Sequence, residues 1–461
     1  MSKHVAAAVF CFLALPAVQA QPLQSEGPRQ APSLTIYQDD LALVREQRSV
    51  ELPKGRSELV IGQISQQILA ESVTVKSSGV EVTSINYLSA NLNVDSLVER
   101  HIGRPVTLIY HAPAAGDGDR VQGILLGGSG DRPLVRVGDR IEIGGPDAPW
   151  RLAFDAVPAD LRGQDALVVE LESAGAGRRA LELAYLTRGL SWQADYVLEL
   201  DAEESGQGRL SAWATLDNRT GLTVQGAQVR LVAGSPNQVR TPAPAYATRA
   251  LKAEAADMAQ EAVGDYRLYT VPDPVVLQGQ QRKQVRLLAP RAVKTVRRYE
   301  IEGYALGTQQ EPREQAARVI LTLRNEAPAL GQPLPAGLLR VYAPDSRKEL
   351  QFLGEDRMPQ SVAGQALELR LGSASEVSGK RTALSARRID QNTTEVEWAV
   401  ELRNGKRQPV TVEVVEQLPG DWQILSESHR HQRKTAQQAR WSLEVPAGGT
   451  AELRYRAQVR L

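Results

Sequence analysis

The stretch Thr394-Glu395-Val396-Glu397-Trp398-Ala399-Val400-Glu401-Leu402-Arg403 alternates apolar and charged side chains with a period of two. In an extended strand Val396, Trp398, Val400 and Leu402 share one face, and Glu395, Glu397, Glu401 and Arg403 share the other. One apolar and one charged face describe an antiparallel sheet packed on one side only. The last residues repeat the pattern, with Leu453, Tyr455, Ala457 and Val459 against Arg454, Arg456, Gln458 and Arg460. Similar runs occur at 210–216, 227–233, 319–323 and 367–371, and turn signals such as Asn404-Gly405 and Pro419-Gly420 separate them. Many short strands between such turns predict an all-β chain of several antiparallel, Ig-like β-sandwiches.

A repeated phrase marks the units. Residues 213–218 read W-A-T-L-D-N, 321–325 read L-T-L-R-N and 400–404 read V-E-L-R-N. Each is an alternating strand that ends in Asn, which tolerates a left-handed backbone and bonds its own turn. The alternative is a chance likeness among generic hairpins. Between 105 and 143 four short strands are joined by glycine-rich turns, the pattern of a small SH3-like barrel inserted in the chain. A short helix over 95–101 leads into it and stops at Gly103. Leu251, Ala255, Met258 and Ala262 recur at helical spacing, so 241–263 reads as a linker or marginal helix. The expected organisation is a signal peptide over 1–20, a β domain over 34–94 and the barrel over 95–146. A sandwich part over 147–240 and the linker follow. A central sandwich over 264–378 and a C-terminal Ig-like sandwich over 379–461 complete the chain.

The first twenty residues read as a secretory signal. Lys3 and His4 precede an apolar run over 6–15 that is too short to span a bilayer, and Pro16 breaks it. Val18-Gln19-Ala20 supplies small residues for cleavage before Gln21. An uncleaved anchor is the alternative. Cys11 is the only cysteine and leaves with the signal, so disulfides and thiol chemistry are excluded from the mature chain. The 54 Lys and Arg balance 54 Asp and Glu, which removes any bulk attraction to nucleic acid or anionic lipid. No later stretch has the length and apolarity of a membrane-spanning helix. The expected location is the periplasm.

Two stretches resemble a known family. Residues 34–46 read L-T-I-Y-Q-D-D-L-A-L-V-R-E, like the N-terminal part of bacterial proteins carrying domain of unknown function 4139, sometimes labelled mucoidy-inhibitor-like. Residues 183–196 (L-A-Y-L-T-R-G-L-S-W-Q-A-D-Y), 213–221 (W-A-T-L-D-N-R-T-G) and 229–237 (V-R-L-V-A-G-S-P-N) are similar to the family core. Residues 409–422 (P-V-T-V-E-V-V-E-Q-L-P-G-D-W) also fit. The resemblance implies the β-rich fold and passes on no catalytic residue. The label implies at most a link to envelope polysaccharide.

No motif assigns chemistry. Ser191 lacks the G-x-S-x-G elbow of a nucleophile, and Asp195 stands between Trp192 and Tyr196 without a partner carboxylate in sequence. His429 and His431 share a face if extended, but basic neighbours oppose a metal there. Gly127-Gly128-Ser129-Gly130 lacks the Lys of a phosphate loop. No cofactor and no metal are implied. The candidate interaction surface is Arg188, Trp192, Tyr196 and Trp422. Aromatic rings beside an Arg stack on sugars or anchor a protein, and the same rings equally fill a sandwich core. Alternating strands also suit an outer-membrane barrel, but these strands are short and aromatics too few for two girdles. The expectation is a non-catalytic envelope scaffold or interaction module, whose partner is an envelope protein or polysaccharide. The alternative is a carbohydrate-binding or polysaccharide-modifying protein. N-terminal sequencing of the chain recovered from the periplasm tests the signal. It should begin at Gln21, and an intact Met1 in a membrane pellet would contradict cleavage.

Overall fold

Thr393–Asn404 is a strand, and its burial alternates as its sequence does. Val396, Trp398, Val400 and Leu402 lie in one core with Trp441, Leu453 and Tyr455. The computed structural model describes residues 23–25, 31–111, 117–158, 161, 163–202, 205–234, 259–263, 266–306 and 313–461. Among them the only α-helix is Val94–His101, and no helix is long and apolar enough to cross a membrane. The protein is all-β, with several antiparallel and mixed sheets. The signal segment and residues 241–258 lie outside the described residues. The described chain forms two compact units, one of residues up to Leu34, Leu43–Arg188 and Thr220–Ala227, the other of Thr35–Ala42, Gly189–Arg219 and Gln228–Leu461.

In the first unit, Gly55–Ile61, Ala166–Ser173 and Val80–Leu88 are neighbours in one sheet. Leu88 stands opposite Ala166, so the chain between them is inserted between two hydrogen-bonded strands. Within the insertion Asn93 caps the helix by accepting from Ser96 N, and Ser96 Oγ accepts from Asn93 N. The insertion's sheet runs in the order Arg140–Ile143, Arg132–Val137, Asp117–Ser129, Pro105–His111, Trp150–Ala153. The last of these five strands lies beyond the expected boundary at 146. Trp150 belongs with Val98, Val106, Leu108, Leu125 and Val135 to its core, which holds the strand in the insertion.

In the second unit two strands are unusually long. Gln281–Tyr304 has 24 residues and Ala366–Arg388 has 23. The first pairs with Gln207–Asn218 up to Lys294, then with Arg313–Arg324, and in parallel with Val410–Gln417 from Tyr299 onward. The second pairs with Arg313–Arg324 and then with Thr393–Asn404. The boundary expected at 378 therefore falls inside a continuous strand. The parallel pair of Gln281–Tyr304 with Val410–Gln417, that of Leu190–Leu200 with Gly337–Pro344, and in the first unit that of Leu23–Gln24 with Gly55–Ile61 depart from the purely antiparallel expectation. Ala259–Val263, read from its spacing as part of a helix, is a strand antiparallel to Tyr266–Thr270. Sheet pairing there overrides the helical preference of alanine.

The repeated Asn is a bracket between strands. Asn218, Asn325 and Asn404 are all buried, and none has a positive φ, which corrects the left-handed reading. Asn404 Nδ2 donates to the carbonyls of Gln408 (2.8 Å), Pro446 (3.0 Å) and Val445 (3.2 Å). Asn325 Nδ2 reaches Gln332 O (2.7 Å) and Val362 O (3.1 Å), and Asn218 Nδ2 reaches Gln278 O (2.8 Å). Each amide thus donates to carbonyls of neighbouring backbone from the end of its own strand. Asn404→Ala should lower the protein's stability by about 1–3 kcal/mol, read as a lower urea midpoint. The exposed neighbour Arg403→Ala should change it by less than about 0.5 kcal/mol.

Candidate binding cavity

The even positions of Leu190–Leu200 face the core, and they carry both predicted aromatics. Trp192 is 2% exposed, and its Nε1 donates to Val232 O at 3.0 Å. Its ring lies 6.2 Å from that of Tyr269. Tyr196 is 0% exposed and its hydroxyl donates to Pro335 O at 2.8 Å. Neither ring offers a face to a ligand. Arg188 is half-buried and belongs to the first unit, where its N–H donates to Gln67 O at 2.9 Å. Trp422 is 6% exposed, donates to Ala436 O at 2.8 Å and lies under the Arg433 guanidinium, 4.2 Å from the ring centre. The aromatic members of the predicted surface are core residues, because alternation places them on the apolar side of their strands.

The other candidates also hold strands together. Asp195 accepts from Thr215 Oγ1 at 2.5 Å and from Arg340 Nη1 at 3.4 Å. Ser191 stands opposite Asp217 in a strand pair. His431 Nδ1 donates to Glu427 Oε2 at 2.9 Å, and the same oxygen accepts from Trp441 Nε1 at 2.8 Å. Among the described residues no group of His, Cys, Asp and Glu is placed to hold a metal ion.

A different place has the form of a site. In the first unit a cavity of about 810 Å³ is lined by Glu46, Asp165, Gln63, Gln66, Gln164 and Gln225, with Val44, Ile64, Leu222 and Val224 supplying apolar wall. This volume lies in the range of small-molecule sites, about 300–1,000 Å³. Glu46 and Arg48 lie on the strand Ala42–Leu52, whose even positions Val44, Val50 and Leu52 face the core. The pair therefore occupies the core face, with side chains 7% and 2% exposed. Arg48 donates to Glu46 Oε1 from Nε (3.0 Å) and from Nη2 (2.7 Å). Its other donors reach Gly62 O (2.6 Å), Ser25 Oγ (3.3 Å) and Gln63 O (3.3 Å).

Burial pushes the Glu46 carboxyl above its ordinary range, and the Arg48 charge works against that rise. Gln63 has φ +55°, a left-handed backbone rare for a side-chain-bearing residue, and the two carbonyls bound by Arg48 flank it. Arg48 thus fixes both the carboxylate and the corner that line the cavity. On another wall Asp165 Oδ1 accepts from Ala90 N at 2.5 Å. Burial first, and then the Asp165 carboxylate, push the Tyr87 hydroxyl above its ordinary range and oppose its ionisation. Sequence reasoning passed over Glu46 and Arg48. Their signal was present, since they interrupt the apolar face of an alternating strand.

No match was found among curated proteins. The N-terminal domain of unknown function DUF4140 matches residues 34–96, which include Glu46, Arg48 and Gln63. The domain of unknown function DUF4139 matches residues 181–461, more than half of the chain, from the strand before Trp192 to the last residue, and the protein belongs to that family.

Proposed function

We propose that this chain is an exported envelope protein that acts without catalysis, as a scaffold or interaction module of β-sandwiches. Export rests on the basic start, short apolar run and small residues before Gln21. The scaffold reading is carried by one observation: the two long strands each change partners along their length, so continuous main-chain ladders join the parts of the second unit. Parts joined by shared strands keep their surfaces at fixed spacing, as a scaffold requires. The terminal strand Leu350–Met358 presents Leu350 (52% exposed) and Phe352 (55% exposed) at one end, on one face. A protein partner adds to such a strand through main-chain hydrogen bonds and places apolar side chains against that face. The balanced charge gives no reason for a nucleic-acid partner.

The cavity favours a second reading, carbohydrate binding in the envelope. Its carboxylates and amides bond hydroxyls, and its aliphatic wall covers C–H faces.

A photo-crosslinking residue at position 352, in the chain expressed in its own cells, separates the two. The scaffold reading expects one dominant envelope protein crosslinked from position 352 and not from the buried position 196. No protein adduct, together with a saccharide-dependent rise in melting temperature, would replace it with the second reading.

A further inference from the structure

We infer that the Glu46 cavity takes a neutral or amine-bearing saccharide and rejects acidic sugars such as uronates. This inference rests on the carbohydrate reading and sharpens it.

The selection follows from which hydrogen-bonding groups remain available. A guanidinium has five N–H donors. Those of Arg48 go twice to Glu46 Oε1 and once each to Ser25 Oγ, Gly62 O and Gln63 O. The Arg48 guanidinium that holds Glu46 is therefore fully engaged and has no donor left for an anionic ligand. The described lining residues include two carboxylates, Glu46 and Asp165, four glutamines and Thr223, with no Lys, Arg or His. A carboxylate on the ligand would meet like charge in a partly desolvated space, with no cation among the described lining residues to pair it. Hydroxyl and ammonium groups meet the opposite situation. They donate to carboxylates that are already fixed in position, so little ordering is needed on binding.

The glutamine amides both donate and accept, which matches the hydroxyl pattern of a sugar ring. Val44, Ile64, Leu222 and Val224 match its C–H faces. The described lining contains no aromatic ring, so stacking adds nothing and the affinity stays modest. The strained corner at Gln63 belongs to the same construction, because Arg48 binds the carbonyls of both Gly62 and Gln63.

Titration calorimetry on the purified mature chain tests this with three probes: the trimer of N-acetylglucosamine, the trimer of glucosamine, and trigalacturonate. The expected result is binding of one or both of the first two, at least about tenfold tighter than trigalacturonate. Glu46→Gln removes the fixed charge and should weaken that binding by about tenfold or more. Because this change touches a buried ion pair, Gln225→Trp at an exposed lining position serves as a second variant. It should fill the cavity and abolish binding while leaving the melting temperature within a degree or two of the parent. Trigalacturonate binding as well as the others would overturn the inference and leave the carbohydrate reading standing. Binding that survives Gln225→Trp would place the ligand elsewhere and overturn the inference. If no probe binds, both the inference and the carbohydrate reading fall.

Discussion

Two long strands change partners along their length, and much of the second unit follows from that. A strand of 24 residues extends up to about 80 Å, far more than one sandwich can pair. Every N–H and C=O along it still needs a partner. Gln281–Tyr304 meets the need by changing neighbours, from Gln207–Asn218 to Arg313–Arg324 and Val410–Gln417. Ala366–Arg388 does the same between Arg313–Arg324 and Thr393–Asn404, with register shifts along both pairings that bend it. Separating their two sets of partners would break the backbone ladders of both strands. The junction is held by main-chain bonds, which fits a chain with a single cysteine and no possible internal disulfide.

Side chains secure the same region. Arg381 donates to both oxygens of Glu416, at 2.9 and 2.8 Å, and its guanidinium lies 4.1 Å from the centre of the Trp398 ring. Glu416 is completely buried beside Tyr455, and burial pushes its carboxyl upward. The pair links Ala366–Arg388 to Val410–Gln417, strands that share Gln281–Tyr304 as a common neighbourhood. Gly303 makes this possible, because a side chain there would collide with both Arg381 and Glu416. Removing one member would leave the other as an uncompensated buried charge. Asn218, Asn325 and Asn404 act at the loops with neutral groups, so their brackets carry no desolvated charge.

Period-two alternation made the fold class legible, because each strand has one apolar face. The helix before the insertion was legible from its Gly103 stop, and the observed Asn93–Ser96 capping box defines its start. The recurring Asn was visible, but its role was not. A buried amide and a left-handed turn residue look alike in one sequence, and only the φ values and the carbonyls around Nδ2 separate them. The long strands were hidden because extended backbone continues where a strand changes partners, and a change of partner leaves no mark in sequence. The parallel pairs were hidden because period two carries no strand direction. Trp192 and Tyr196 were correctly placed on one face, yet a shared face is either core or surface until its neighbours are known.

The cavity differs from these cases, since its signal was a broken rule. Glu46 and Arg48 take core-facing positions between Val44 and Val50. Replacing a buried ion pair with apolar residues of similar volume is often neutral or stabilising by about 1–4 kcal/mol. Stability alone therefore gives no reason for the pair. A left-handed Gln63 adds a further cost of order 1–3 kcal/mol for a sparsely populated backbone. Both costs fall on one wall of one cavity, where Arg48 meets the carboxylate and the corner together. Local costs that converge on one concave place have a common explanation when the arrangement presents fixed acceptors to a ligand. On that argument the departure from alternation at Glu46 and Arg48 marks a binding wall, while the unbroken alternation around Trp192 and Tyr196 marks core.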